Sequence, residues 1–143
     1  TESLGRLFSQ MPWLINSLLS LPLCRELLKN NFGLRDFPEY SPESVRKRLL
    51  NYDQTAFNLD DLYTLSPEES KRSVILLQDA FTSFYESQVV VEFYQLLKRL
   101  GFSVYVAPFH PNGKPLHNKG FLKKFRNVAE RNIKWLDHFS GTL

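Results

Sequence analysis

Apolar residues near the start of the chain fall at helical steps. Leu4, Leu7, Phe8, Met11, Leu14, Ile15 and Leu18 are spaced by three and four residues, which predicts amphipathic helix. Pro12 predicts a break near Met11, because proline lacks the N–H of a helix interior and clashes with the preceding turn. Leu23 to Asn31 predicts a further helix, with Gly33 as its C-terminal glycine. Phe37 to Tyr40 reads as a connector. Ser41-Pro42-Glu43 then predicts an N-cap with proline in the first turn. The helix it opens carries Val45, Leu49 and Leu50 on an apolar face and Arg46, Lys47 and Arg48 elsewhere.

From Asp53 to Ser70 the acids Asp53, Asp60, Asp61, Glu68 and Glu69 occur without any Lys or Arg, and the segment reads as a surface connector. Ser66-Pro67-Glu68-Glu69 has the form of a capping box. This composition shift places a boundary near residue 70. Beyond it the rhythm changes. Ser73 to Leu77 is a short continuous apolar run that suits a strand buried on both faces. Ser83 and Glu86 form a possible second capping box, before a helix with Val90, Phe93, Tyr94, Leu97 and Leu100 on one side and Gly101 at its end. Phe102 to Ala107 is a second strand, closed by Pro108. Strand, helix and strand make a βαβ unit, so the strands should run parallel with a right-handed crossover. A polar loop from Phe109 to Lys119 leads to a last helix with Phe121, Leu122, Phe125, Val128, Ala129, Ile133 and Leu136 as its apolar positions.

The expected fold is therefore α/β, with a helical arm over residues 1–70 and a βαβα half-domain over residues 71–143. Two parallel strands are few for a sheet that needs cover on both faces. The pattern reads as truncated, its missing strands lying beyond the C-terminus, on another chain, or nowhere. The opening Thr1 likewise suits a processed product or a piece of something longer. Apolar surface left on the βαβ unit predicts self-association.

Composition narrows the function classes. The chain has 143 residues, 43% hydrophobic and 23% charged, as in an ordinary globular domain and unlike a disordered chain. A net charge of +3 is too small to imply nucleic acid by itself. The single cysteine, Cys24, excludes an internal disulfide and any cluster held wholly by this chain's thiolates, and suits a reducing cytoplasm. Cys24 lies among leucines and reads as a buried thiol. Met11 to Leu23 is the most apolar stretch and is too short and too interrupted to span a membrane.

The most informative stretch is His110 to Gly120, which follows a parallel strand and precedes a helix. Ligands of open α/β sheets bind at that edge, and helix N–H groups with Lys114 and Lys119 would favour an anion. The bland reading is a surface loop in which Asn112-Gly113 makes a turn. Gln78, Asp79 and Thr82 follow the first strand at the same edge, where they could touch a ligand or satisfy local backbone N–H groups. His110 and His117 could act as acid–base groups or as exposed loop residues, and no histidine pair has metal-ligand spacing. The ligand-binding candidates are thus Gln78, Asp79, Thr82, His110, Asn112, Lys114, His117 and Lys119, with no catalytic and no metal-binding residue. Seven Lys/Arg and two acids lie between residues 110 and 138, scattered as on a solvated face, so nucleic acid is not expected as a partner.

From Val74 to Leu136 the residues, above all QDAFTSFY and PNGKPLHNKGFL, resemble the cysteine-rich CCG domain near the C-terminus of long bacterial FAD-linked oxidases, closest to the D-2-hydroxyglutarate dehydrogenase type. LPLCRELLKNNFGLRDFP resembles the helical linker before that domain. The resemblance implies a parent chain with FAD in a flavin domain and four-iron–four-sulfur (4Fe-4S) clusters in a ferredoxin-like segment. It implies docking against those domains as this chain's role. Pro111-Asn112-Gly113 stands where the resemblance implies Cys-Cys-Gly, and Asp79-Ala80-Phe81 where it implies an upstream cysteine. No cofactor is therefore expected on this segment, and only the location of the edge carries over. The alternative is a stand-alone module that binds an anionic small molecule or a partner protein. Nonspecific nucleic-acid binding through the last helix is a weaker third reading.

Overall fold

A computed structural model describes residues 2–32, 37–52 and 59–140. The described elements are, in order, α1 (Glu2–Phe8), α2 (Pro12–Ser20), α3 (Pro22–Phe32), α4 (Val45–Leu49), a 3-10 helix (Leu50–Tyr52), α5 (Leu59–Tyr63), α6 (Pro67–Ser70), β1 (Ser73–Leu76), α7 (Ala80–Phe84), α8 (Ser87–Arg99), β2 (Ser103–Val106), α9 (Lys114–Asn118) and α10 (Leu122–Ser140). The fold is α/β and mostly helical. Its two strands pair in parallel with Ser73 opposite Ser103 and Leu76 opposite Val106. Pro12 starts α2 after a break at residues 9–11, as its ring requires. The expected C-terminal glycine Gly33 and the acid Asp53 lie outside the described residues.

The core joins α4, α8 and β2. Val45, Leu49, Val90, Val91, Tyr94, Val104 and Val106 are buried together, with Leu76, Leu97 and Phe102 packed against them. The helix of the arm thus shares one apolar cluster with the βαβ unit. An aromatic group lies beside it: Tyr40 touches Phe8, Phe37 and Tyr85, and Tyr85 touches Phe81. Asn16 on α2 brackets Tyr40 from both sides, accepting from its N–H at 2.8 Å and donating to its carbonyl at 2.9 Å. Burial and the Tyr85 hydroxyl push the Tyr40 phenol far above its ordinary pKa.

Several expectations are corrected by the packing. The N-cap of α4 is Ser44, whose hydroxyl accepts from the Lys47 N–H, and not Ser41. The Ser41 hydroxyl is instead committed across the fold to Tyr85 and Ser87. Ser83 caps nothing either: its hydroxyl donates to the Asp79 carbonyl within α7, and Glu86 stands at the N-cap of α8 without a side-chain bond. β1 is half-buried along its whole length rather than buried on both faces, and a single partner strand pairs with it. On α8, Phe93 and Leu100 face outward while Val91 replaces them inside. Leu122 and Ile133 of α10 and the preceding Phe121 are exposed. Cys24 is only half-buried. The acidic connector contains a buried anchor, Leu62 on α5, and Tyr63 donates to the His138 carbonyl at 3.1 Å. The Ser66 capping box is present as expected, with both reciprocal bonds. No helix among the described residues is long and apolar enough to cross a membrane.

Because Leu49 is buried in the same cluster as Val91, Leu49→Ala should lower the unfolding free energy of the whole chain by about 2–5 kcal/mol. Urea denaturation followed by circular dichroism measures it. A loss confined to a minor early transition would mean that α4 is not part of the core.

Candidate functional site

Parallel pairing brings the carboxyl ends of both strands to one edge, and Gln78 bridges them. Its side-chain amide donates to the Ala107 carbonyl at 2.6 Å, just past the end of β2. Its amide oxygen accepts from the Ser83 hydroxyl at 3.2 Å. Asp79 is the N-cap of α7: its carboxylate accepts from the Thr82 N–H at 2.8 Å and from the Thr82 hydroxyl at 2.9 Å. Gln78, Asp79 and Thr82 are therefore together, and every one of these bonds is internal.

The residues after β2 are held differently. The His110 ring stacks on Trp135 of α10 at 4.5 Å with an interplanar angle of 4°. Trp135 in turn meets Phe139 edge-on. Burial first, and the charge of Arg131 second, lower the His110 pKa below its ordinary value, so the ring stays neutral over a wider range. The Asn112 side chain accepts from the Lys114 N–H at 3.0 Å. Gly113 adopts φ 78° as the N-cap of α9, and a Cβ there would lie 3.1 Å from both Phe125 and Val128. Only glycine satisfies both the left-handed backbone and the close approach to α10. The expected open loop thus contains a short helix, α9, with Lys114 and Pro115 in its first turn. His117 on α9 rests edge-on against Phe125. Lys114, His117 and Lys119 are exposed.

A cleft of about 190 Å³ opens beside this edge. Phe84, Pro108 and Phe109 form its apolar wall, and Ser41, Glu43 and Arg46 its polar rim. Of the eight expected site residues only Gln78 lines it. Sequence reasoning missed the rim, because Ser41, Glu43 and Arg46 were assigned to a separate arm and nothing local in the sequence links residue 41 to residues 84–87. Neither the Ser41 nor the Ser83 hydroxyl of the cleft is set up as a nucleophile. The Ser41 hydroxyl donates to the Tyr85 carbonyl and the Ser83 hydroxyl to that of Asp79, so neither has a general base. Lys47 at 2.9 Å holds the Glu43 carboxyl below its usual range, which suits an anion and not a proton donor. Among the described residues no three His, Cys, Asp or Glu side chains converge on a possible metal position.

No family model matches the chain, and no solved structure matches it. Sequence relatives do. The D-2-hydroxyglutarate dehydrogenase of Escherichia coli (strain K12) is 34% identical over 139 residues, 97% of this chain and 14% of the relative. The D-2-hydroxyglutarate dehydrogenase of Pantoea ananatis is 33% identical over 136 residues, 95% of this chain and 13% of the relative. That of Pseudomonas putida is 36% identical over 125 residues, 87% of this chain and 12% of the relative. The chain spans about one-seventh of the length of the curated relatives it matches.

Two outcomes follow from the loop. His110 has a lowered pKa when folded, so the unfolded chain takes up a proton first as pH falls, and stability should drop as pH falls from the ordinary imidazole range toward the folded-state value. Thermal melts from about pH 8 to about pH 5 should show this fall, and His110→Phe should flatten it. Gly113→Ala, which adds left-handed strain and a contact with α10, should cost about 1–3 kcal/mol in urea denaturation.

Proposed function

We propose that this chain is a domain-sized piece of a D-2-hydroxyglutarate dehydrogenase-type oxidoreductase, and that within it the chain is a docking element without catalytic residues of its own. The observation that carries this is an alignment with such enzymes over nearly all of this chain and about one-seventh of theirs. The site geometry supports the non-catalytic part: Gln78, Asp79 and Thr82 at the sheet edge are engaged in internal hydrogen bonds, and the Ser41 and Ser83 hydroxyls of the cleft donate to backbone carbonyls.

The parent activity in this proposal is oxidation of a 2-hydroxy acid, with FAD and 4Fe-4S clusters carried by flavin and ferredoxin-like domains outside this chain. The donor set here does not suit a thiolate-held cluster. The single cysteine sits on α3, and the edge that the resemblance points to carries Asp79, Ala80 and Phe81 with Pro111, Asn112 and Gly113. No step of the reaction is assigned to these residues. The parent's compartment in this proposal is the cytoplasm.

An immunoblot of source cells with an antibody against this chain tests the reading. The expected band is several times heavier than 16.8 kDa, and its immunoprecipitate should oxidise D-2-hydroxyglutarate with an artificial electron acceptor. A band at this chain's own mass, with no dehydrogenase in the precipitate, would overturn it.

A further inference from the structure

α8 has two apolar faces, and among the described residues one of them is covered and the other exposed. Val90, Val91 and Tyr94 point into the core. On the opposite side Val89, Phe93, Leu96 and Leu100 are 46%, 46%, 50% and 64% exposed. Their steps of four, three and four residues are the spacing of a helix–helix seam. One shoulder of this stripe faces the core through Val90 and Leu97. The other carries two exposed charges one heptad apart, Glu92 and Arg99. Glu92 also accepts a hydrogen bond from Gln88 on its own helix at 3.1 Å, which leaves carboxylate lone pairs for a second donor.

We propose that this stripe is a self-association surface, on which α8 packs antiparallel against α8 of a second copy. The charge order selects this occupant. A two-fold axis perpendicular to the helix, between residues 94 and 95, places Val89 opposite Leu100 of the second copy and Phe93 opposite its Leu96. Equivalent shoulders face each other in an antiparallel pair, so Glu92 of each copy comes within about half a helical turn of Arg99 of the other. Both charges are satisfied twice over by the same operation, as an isologous interface requires. A parallel pairing would set the Glu92–Arg99 shoulder of each copy against the Val90–Leu97 shoulder of the other and leave both charges without a partner across the seam.

The size of the contact sets its strength. α8 is about 20 Å long, so one helix pair buries less than the roughly 1,200–2,000 Å² of a permanent interface. The dimer should therefore be a micromolar one. This inference stands on α8 alone and does not depend on the dehydrogenase reading.

Sedimentation velocity of the 143-residue chain at about 1–200 µM tests it. The chain is expected to shift from monomer to dimer over that range. Leu96→Asp, at an exposed position, should abolish the dimer and leave the circular dichroism spectrum unchanged. Glu92→Arg and Arg99→Glu should each weaken the dimer by about tenfold, and the double variant should restore it. A chain that stays monomeric at the highest concentration overturns the proposal and leaves the stripe to a segment of a longer polypeptide. A dimer that survives Leu96→Asp, or a double variant weaker than both singles, also overturns it.

Discussion

The structure depends on a fully buried serine. Ser87 opens α8 and is 0% exposed. The first N–H groups of any helix lack intrahelical partners, and the N-cap residue here, Glu86, supplies no side-chain acceptor. The Ser87 N–H finds its acceptor 46 residues back, in the Ser41 hydroxyl at 3.0 Å. The Ser87 hydroxyl donates to the Glu43 carbonyl at 2.7 Å and accepts from the Arg48 guanidinium at 2.9 Å. Ser41 completes the node with bonds to the Phe84 and Tyr85 carbonyls. Each buried group left unpaired would cost about 1–3 kcal/mol, so residues 41–48 have one register on α7 and α8 and no other. That register carries Val45 and Leu49 onto Val90, Val91 and Tyr94.

The node bears on what covers the two strands. A two-stranded parallel sheet buries little, and all four β1 residues remain half-exposed. Among the described residues most apolar burial comes from helix against helix, α4 on α8, with Val104 and Val106 of β2 completing the cluster. The arm is thus cover for the βαβ unit. The same economy leaves the far side of α8 bare, because there is no further layer among the described residues to meet it.

What was legible in the sequence was local. The Pro12 break, the Ser66 capping box, both strands and the end of α8 before Gly101 were read from spacing and from residues whose backbone preferences are strong, whereas the start of α8 at Ser87 and the separate α7 were not. What was not legible was long-range and polar. Ser41 has the look of an N-cap because Pro42 and Glu43 follow it, yet Ser44 has the same chemistry three residues later and the tertiary partner of Ser41 decides between them. The burial of α8 was misjudged for a related reason. Phe93 and Leu100 are as hydrophobic as Val91, and periodicity alone does not say which of two apolar faces meets the core. The sheet edge was located correctly as a place, but its occupancy by internal bonds depends on Ala107 and Ser83, which no spacing rule connects to Gln78.

That occupancy bears on what the edge can do. Ligands favour the carboxyl ends of parallel strands because backbone and side-chain groups there are free to receive them. Here Gln78 is spent on Ala107 and Ser83, and Asp79 on Thr82. A ligand using Gln78 and Asp79 would first break these bonds, at about 0.5–1.5 kcal/mol each, before gaining any contact. What remains for an anion is Lys114 and Lys119, both exposed, whose attraction salt screens within about 10 Å. The stacked His110, kept neutral by burial and by Arg131, adds no charge to them at neutral pH. The edge is therefore built first as a joint, tying β1 to β2 and, through His110 and Gly113, both strands to α10.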